Sequence, residues 1–264
     1  GLSSSAALEC GFAVGINTLF RYNLPLYQLV KMAQKAEHEY AGVMCGIMDQ
    51  FASVFGRRDH VFRLDCRSHD YNYFPLDMDE HIVALVDTKV KHELSSSDYN
   101  LRRQECEKGV ETLKIMFPDI VALRDIDLQT IEEYKRKFDP TVYRRCHYVV
   151  SENQRVMGAC KSLEEGDFIS FGELMYQSHE GLKNDYEVSC TELDVLVDST
   201  RDMDYVLGSR MMGGGFGGCT INLITAGYEN RFKNSISSIY TNKTGIIPEI
   251  HFVKLSDGVR IINQ

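Results

Sequence analysis

The chain has 264 residues, enough for two domains of ordinary size or one large domain. Hydrophobic residues make up 44% of it and charged residues 25%, which is the balance of a globular protein with a sizeable core. The net charge of −9 argues against non-specific nucleic-acid binding, and the sequence contains no apolar run near the ~20 residues that cross a bilayer.

The first ten residues, GLSSSAALEC, predict a phosphate-binding loop that leads into a helix over residues 5–20. Gly1 permits close backbone approach to a ligand, and Ser3 and Ser4 are typical N-cap residues. Unpaired N–H groups and the positive dipole end of such a helix hold an anion, most often a phosphate. The alternative is a capped helix without a ligand. Because no start methionine or feeding strand precedes Gly1, we expect the chain to be a fragment of a longer protein.

The elements after this loop are predicted from apolar periodicity and from Gly and Pro punctuation. Helices are expected at 26–40 and 48–55, strands at 60–64, 71–76 and 82–88, helices at 98–116, 126–138, 141–162, 167–184 and 191–201, strands at 205–211, 219–225 and 249–255, and a helix at 228–240. Strands and helices are interleaved without regular alternation, which favours an α+β fold in two lobes. The boundary is expected in the polar stretch 77–80.

A second glycine cluster spans residues 213–218, with Phe216 as its one non-glycine residue. It contains a formal G-x-G-x-x-G pattern, but a dinucleotide-binding fingerprint needs a helix afterwards, and residues 219–224 are predicted as a strand. Two interpretations remain open. The glycines allow close backbone approach to a ligand or to the first loop, or they form a tight hairpin with no further role.

Two acids are candidate functional residues. Asp49 lies in CGIMDQF, just after Gly46, and is either a carboxylate that stabilises a helix N-terminus or a general base for a hydroxyl nucleophile. Glu37 lies beside the apolar stripe of the preceding helix and is either a solvated flank or a Mg²⁺ ligand. Magnesium typically takes one or two protein oxygens together with substrate phosphates.

The eight cysteines are widely spaced, and the two nearest, Cys146 and Cys160, are 14 positions apart. No C-x-x-C pair exists, so a zinc ribbon is not favoured. Several cysteines lie in apolar company, where a free thiol behaves as a small hydrophobic group. We therefore expect reduced cysteines and a cytoplasmic protein.

Five segments taken together resemble the galactokinase family of the GHMP kinases. They are GLSSSAALE, CGIMDQF, VKHELSSSDYNLRRQEC, SHEGLKNDYEVSCTELD and GSRMMGGGFGG. The resemblance implies a two-lobed fold with a ribosomal-protein-S5-like N-terminal lobe, incomplete here, over residues 1–78. It implies a ferredoxin-like α/β C-terminal lobe over 79–264, with the glycine loop 213–218 returning to the active-site cleft.

The resemblance also implies roles for individual residues, by match to the family's motifs. ATP phosphates are bound by Gly1, Leu2, Ser3, Ser4, Ser5, Gly214 and Gly215; Mg²⁺ by Ser5 and Glu37; the sugar by Gly46, Asp49 and Tyr99. Asp49 is the implied catalytic residue, and the implied reaction is transfer of the γ-phosphoryl group of ATP to the 1-hydroxyl of galactose. The implied partners are small-molecule substrates, with no nucleic acid or membrane, and the protein is expected to be a monomer.

The sequence departs from the family pattern in two places. Met212 stands where the family commonly has Thr, and the N-terminal motif that clamps the sugar hydroxyls is not in the chain. We therefore expect these 264 residues alone to be inactive. The alternatives are a kinase of a related sugar such as N-acetylgalactosamine, or a non-catalytic galactose-sensing relative. The intact run Ser4-Ser5-Ala6-Ala7 argues against a sensor.

Overall fold

A computed structural model describes residues 3–42, 45–91 and 95–262, without the side chains of residues 91, 95–97 and 99. The chain divides into two compact units. One contains the residues up to Met78 together with those from Lys254 onward, and the other is Asp79–Val253. Within the described ranges, no helix combines the length and the apolar character needed to cross a membrane.

The first unit is a layer of helices beside a short hairpin. Its elements are α1 (Ser4–Leu19), α2 (Leu26–Ala36), a π-helical segment (Glu37–Ala41), α3 (Met48–Phe55), β1 (His60–Leu64) and β2 (Tyr71–Pro75), with β1 and β2 antiparallel. The three α-helices pack on one another around buried apolar residues, namely Cys10, Val30, Ala33, Ile47, Phe51 and Val54. Phe51 also stacks on Phe55 within α3. Both rings contact an aromatic residue of the hairpin and so join α3 to it.

The second helix differs from its prediction at its C-terminal end. The expected helix at 26–40 is α-helical only to Ala36, and Glu37–Ala41 widens into a π-helix. Gly42 then ends the helix in the left-handed conformation (φ 68°), which glycine adopts without a Cβ penalty. Such π-helical insertions are frequent at functional sites, because they rotate the side chains that follow.

The second unit is built on a four-stranded antiparallel sheet in the order β4-β5-β3-β6. Its strands are β3 (His81–Lys91), β4 (Val206–Met211), β5 (Gly217–Thr225) and β6 (Glu249–Val253). The helices are α4 (Ser95–Lys114), α5 (Leu128–Glu133), α6 (Pro140–Glu165), α7 (Phe168–Asn184), α8 (Thr191–Asp198) and α9 (Glu229–Thr244). Helices separate β3 from β4 and β5 from β6, so order and connectivity are ferredoxin-like and confirm the expected α+β architecture.

Both faces of this sheet are covered. Ala84 and Val86 of β3 pack with Leu196 of α8 and Phe232 of α9. Helix α7 crosses β4 at a backbone-to-backbone contact, where a Cβ on Gly172 would lie 1.9 Å from the carbonyl oxygen of Leu207. The glycine therefore sets the distance between this helix and the sheet.

The helix predicted at 126–138 is wrong, and the second compact unit ends before the expected residue 264. The helix expected at 126–138 is broken into 3₁₀ turns (Leu123–Asp125, Lys135–Lys137) around α5, which begins where the Asp127 carboxylate accepts the Thr130 N–H. The second unit ends at Val253 rather than at the C-terminus. Residues beyond it pair with the first unit: the Gly258 N–H donates to the Gly56 carbonyl oxygen over 2.8 Å.

Candidate active site

The N-terminus of α1 presents uncapped backbone donors. Ser3 lies at the N-cap in the left-handed conformation (φ 51°, ψ 40°), and within the described residues its hydroxyl makes no capping hydrogen bond. Side-chain capping normally accompanies an extended N-cap backbone, so the prediction that Ser3 caps the helix is wrong. The left-handed conformation costs a non-glycine residue about 1–2 kcal/mol, and strain of this kind concentrates at functional loops. Ser3, Ser4 and Ser5 are all exposed, so the first-turn N–H groups are open to an anion.

Ser5 and Glu9 lie four residues apart on α1 and therefore share one face of the helix. The Glu9 Oε2 atom is buried and has no hydrogen-bond partner among the described residues. Burial of its carboxyl and the negative charge of Glu37 together raise the pKa of Glu9. Glu9 is therefore within electrostatic reach of a second carboxylate, Glu37.

That second carboxylate, Glu37, is only 8% exposed and begins the π-helical segment. A buried carboxylate needs compensation by hydrogen bonds, an opposite charge or a metal. Glu9 and the Cys45 thiol both lie within electrostatic reach of Glu37. The burial of Glu37 disagrees with a solvated flank, and its role as a cation ligand stays a prediction.

The loop before α3 is fixed by side chains from α2 and the π-helical segment. The Cys45 carbonyl oxygen lies 2.9 Å from His38 Nε2 and accepts a hydrogen bond from Gln34 Nε2 over 3.2 Å. Burial raises the pKa of the Cys45 thiol, a hydrogen bond from Gln50 opposes that shift, and the negative charges of Glu37 and Asp49 add to it. Glu37 and Asp49 are therefore both within electrostatic reach of one thiol.

Asp49 occupies the first turn of α3, and its side chain is exposed. Ile47, at the N-cap, provides no side-chain cap, so the carboxylate of Asp49 stabilises this helix end. Because the side chain is exposed beside Gly46, it is also available to a hydroxyl group of a ligand. The helix-stabilising role and the chemical role are compatible at this position.

The glycine cluster forms the turn between β4 and β5. Gly213 (φ 80°) and Gly215 (φ 88°) adopt left-handed backbone conformations, and the Met212 N–H donates to the Cys219 carbonyl oxygen over 2.9 Å to close the turn. Gly213 and Gly214 are exposed, whereas a Cβ on Gly215 would lie 2.1 Å from the Val188 carbonyl oxygen. The cluster is therefore a hairpin with an exposed tip and a tightly seated base.

Three predicted site residues are not fully described by the structure. Gly1 and Leu2 lie outside the described residues. Tyr99 lies in α4, but its side chain is outside the description. Among the others, Glu37, Gly46 and Asp49 are brought together within the first unit.

The donor chemistry around Glu37 fits a magnesium ion. The unpartnered Glu9 Oε2 beside a buried carboxylate leaves negative charge that a cation would neutralise. Within residues 3–42, 45–91 and 95–262, no group of three or more His, Cys, Asp or Glu side chains is arranged to hold a metal. A cation that completes its shell with substrate phosphates and water needs no such group.

An apolar groove of about 580 Å³ lies between α1 and α2, with Glu9 at its edge. Its lining includes Phe12, Ile16, Tyr22 and Met32, which offer little to a phosphate. The groove is therefore distinct from the exposed N-terminus of α1.

Sequence reasoning missed two residues of this region. Glu9 was not singled out, although its i+4 spacing from Ser5 was visible in the sequence. Gln50 is 2% exposed and donates to the Cys45 sulfur over 3.8 Å, which fixes the loop that carries Gly46. Only the tertiary contact identifies Gln50, because a glutamine in a short helix has no distinctive pattern.

Comparison with known proteins identifies the class of protein to which the chain is similar. A family model described as GHMP kinases N terminal domain matches residues 1–57, and one described as GHMP kinases C terminal matches residues 159–242. The galactokinase of Thermotoga maritima is 44% identical over 262 residues, which cover 99% of the chain and 72% of that protein. The galactokinase of Clostridium acetobutylicum is 40% identical over 264 residues, with 100% and 68% covered. The crystal structure of Lactococcus lactis galactokinase complexed with galactose has a TM-score of 0.91 at 33% identity, and covers 97% of the chain and 66% of that protein.

The chain belongs to the galactokinase family of the GHMP kinases. It spans 72% of the length of the Thermotoga relative and 66% of the lactococcal protein.

Proposed function

We propose that the chain carries the phosphoryl-transfer site of a galactokinase, which moves the γ-phosphoryl group of ATP to the 1-hydroxyl of galactose. The observation that carries the proposal is the convergence of Glu37 and Asp49 on the Cys45 loop. A metal-binding role for Glu37 and a catalytic role for Asp49 would then belong to one site. Family membership makes ATP the co-substrate.

Backbone groups from two parts of the chain are proposed to bind the ATP phosphates. The exposed first turn of α1, at Ser3, Ser4 and Ser5, is proposed to donate backbone N–H groups to the ATP phosphates, with the helix dipole adding positive potential. Gly214 and Gly215 are proposed to bind phosphate through their backbone. Phosphoryl transfer proceeds through a loose transition state, so positioning and charge stabilisation dominate over covalent chemistry.

Asp49 is proposed to accept the hydrogen bond of the attacking sugar hydroxyl. As the oxygen attacks the γ-phosphorus in line, the carboxylate takes the proton or stabilises the positive end of the O–H dipole. Gly46 and Tyr99 are proposed to contact the sugar. Asp49 is exposed in the first turn of α3, directly after a loop held by His38 and Gln34, and this supports the assignment because its carboxylate is held in place yet accessible.

Ser5 and Glu37 would hold Mg²⁺. When bound, Mg²⁺ neutralises charge on the β- and γ-phosphate oxygens. The residues around it contribute the buried carboxylate and the hydroxyl that fix its place, and the neighbouring Glu9 adds negative potential.

The two alternatives are not favoured. The relatives that match nearly the whole chain are named galactokinases, and the lactococcal structure is complexed with galactose. A sensing relative would differ in the serine–alanine run, which is intact at residues 4–7. We further propose a cytoplasmic protein, which the eight free cysteines support. We also propose that it is a monomer, and sedimentation of the purified protein tests this.

The test uses a hybrid protein in which residues 1–264 are joined to the part of Thermotoga maritima galactokinase that has no counterpart in the chain. We expect the hybrid protein to form galactose 1-phosphate from ATP and galactose, and we expect residues 1–264 alone to lack this turnover. Glu37→Gln should reduce turnover and raise the Mg²⁺ concentration required for half-maximal rate.

The matched control is Glu39→Gln, two residues further along the π-helical segment, where the carboxylate is exposed and paired with Lys35. It should leave turnover unchanged. A hybrid protein that phosphorylates N-acetylgalactosamine in preference to galactose, or neither sugar, would refute the proposed substrate. Equal effects of the two substitutions would refute the role of Glu37.

A further inference from the structure

Arg145, on α6, is the largest fully buried side chain among the described residues, with 2% exposure. A buried guanidinium is stable only when its donors are satisfied. Its Nε donates to Glu105 Oε2 over 3.0 Å, its Nη1 to the Asp185 carbonyl oxygen over 2.5 Å, and its Nη2 to Glu187 Oε2 over 2.6 Å. Two carboxylates and one backbone carbonyl therefore surround a single cation.

A second arginine holds the same stretch of backbone. Arg102, on α4, donates through Nε to the Tyr186 carbonyl oxygen over 2.6 Å and through Nη2 to the Glu187 carbonyl oxygen over 2.9 Å. The carbonyls of three successive residues, Asp185, Tyr186 and Glu187, are thus all bound by buried or half-buried arginines. Glu187 has a left-handed backbone (φ 53°), a strained conformation that these contacts hold in place.

The residue after this stretch seats the glycine loop, defined here as residues 213–218. The Val188 carbonyl oxygen accepts the Phe216 N–H over 2.8 Å. The same oxygen is the atom that a Cβ on Gly215 would meet at 2.1 Å. The base of the glycine loop therefore rests directly on the Val188 carbonyl.

The start of the glycine loop is tied to the same part of the chain. The Met211 N–H donates to His179 Nδ1 over 3.2 Å, and His179 Nε2 lies 3.3 Å from Asp194 Oδ1. Asp194 also accepts a hydrogen bond from Ser189 Oγ over 2.6 Å. Val188 thus holds the base of the glycine loop, and His179 with Asp194 holds the end of β4 just before it.

We propose that Arg145 is a positioning residue for nucleotide binding: it fixes residues 185–187, and through the Val188 carbonyl it sets the position of Gly215 and Phe216. This inference rests on the proposed function for its link to ATP, whereas the coupling of Arg145 to the loop does not. Neither arginine has to touch the nucleotide. A ligand bound by backbone N–H groups needs those groups held to within a fraction of an ångström, and a rigid supporting shell supplies that.

The test compares Arg145→Lys with Arg144→Met in the hybrid protein. Lysine keeps the charge but lacks the planar fork that reaches three acceptors at once. Arg144 is the control, because it lies next to Arg145, is exposed, and binds Glu187 through the other carboxylate oxygen over 2.8 Å. Arg102→Lys is the second variant, should Arg145→Lys not fold.

Two readouts are required. The first is hydrogen exchange of the Phe216 N–H, which we expect Arg145→Lys to accelerate at least about tenfold through local opening, whereas Arg144→Met does not. The second is the Michaelis constant for each substrate. The KM for MgATP should rise about tenfold while the KM for galactose stays unchanged, because only the phosphate-binding loop is displaced.

Unchanged exchange at Phe216 with normal MgATP binding would overturn the present inference and leave the proposed function intact. Faster exchange with an unchanged KM for MgATP would overturn the link to nucleotide binding. A wild-type hybrid protein that does not bind MgATP would contradict both the proposed function and that link.

Discussion

The glycine loop offers a pair of substitutions that separate backbone strain from steric collision. Gly213 and Gly215 both adopt left-handed conformations, with φ of 80° and 88°. A Cβ on Gly213 meets nothing within 4 Å, whereas one on Gly215 meets the Val188 carbonyl oxygen at 2.1 Å and the Met211 Cε at 2.9 Å. Alanine at either position experiences the same strain, but only at Gly215 does it collide with the backbone.

The expected magnitudes follow from these two contributions. Left-handed backbone costs a non-glycine residue about 1–2 kcal/mol, so Gly213→Ala should lower the free energy of unfolding by about that amount. Gly215→Ala adds an overpacking cost of about 1–3 kcal/mol, because the contact is with backbone that has little freedom to move. The total for Gly215→Ala is then about 2–5 kcal/mol. Relief of the collision also requires the loop base to move away from Val188.

The assay is urea unfolding of both variants together with their MgATP affinity in the hybrid protein. Gly215→Ala should be the less stable variant and should bind MgATP more weakly than Gly213→Ala. Equal losses in stability would show that the Val188 contact does not constrain the loop. A normal MgATP affinity in a folded Gly215→Ala variant would refute the proposed phosphate-binding role of this residue.

Three further predictions concern the site, the ion-pair network and the core. Asp49→Asn should lower the turnover of the hybrid protein by about 10²–10⁴-fold. It should lower the unfolding free energy by no more than about 1 kcal/mol, since the exposed carboxylate only stabilises the helix N-terminus, and a milder loss of turnover would exclude a general base. The hydrogen bond from Arg145 holds the pKa of Glu187 below its ordinary value of 4.5, so its stabilising contribution is complete above that pH and is lost on acidification. Glu187→Gln should therefore lose less stability than wild type between about pH 5 and about pH 3 in urea titrations, and parallel losses would contradict this. Gly172→Ala should lower the unfolding free energy by about 1–3 kcal/mol or more, because its Cβ would collide with the backbone of β4. Gly158→Ala should raise the unfolding free energy by up to about 1 kcal/mol, because its Cβ would meet only a Leu174 methyl at 3.4 Å. Calorimetric Tm values that move in the same direction for both variants would argue against the close α7–β4 contact.

The fold was largely predictable because its signals are local. Pro25 and the apolar spacing after it define α2, and the Asp139-Pro140 pair defines the start of α6, where the Asp139 carboxylate accepts two N–H groups. Helices with such starts, and strands with β-branched runs, were placed to within a few residues. The break around α5 was not predicted, since Asp127 competes for the backbone through its side chain in the middle of an apolar pattern.

Other features depend on tertiary contacts, which produce no periodic pattern in the sequence. The widening of the helix at Glu37–Ala41 changes which side chains face α1, although residues 37–41 fit an ordinary helix in sequence. The return of the final residues to the first unit includes backbone hydrogen bonds at Gly258 and Val259 and a hydrogen bond from the Arg58 N–H to the Asp257 carboxylate. These contacts join residues about 200 positions apart, so no local sequence pattern predicts them.

The candidate site also combines residues that motifs identify with contacts that only the folded chain provides. Motif resemblance named Ser5, Glu37 and Asp49, but their chemical roles depend on charge that only the folded chain assembles. Glu9 is the decisive case: it lies one turn after Ser5, and its carboxyl is partly desolvated beside Glu37. Burial and the negative charge of Glu37 both disfavour the ionised form of Glu9, whereas the proposed Mg²⁺ would favour it. The motif therefore names the candidate ligands, but only the folded chain shows the carboxylate that would respond to a bound cation.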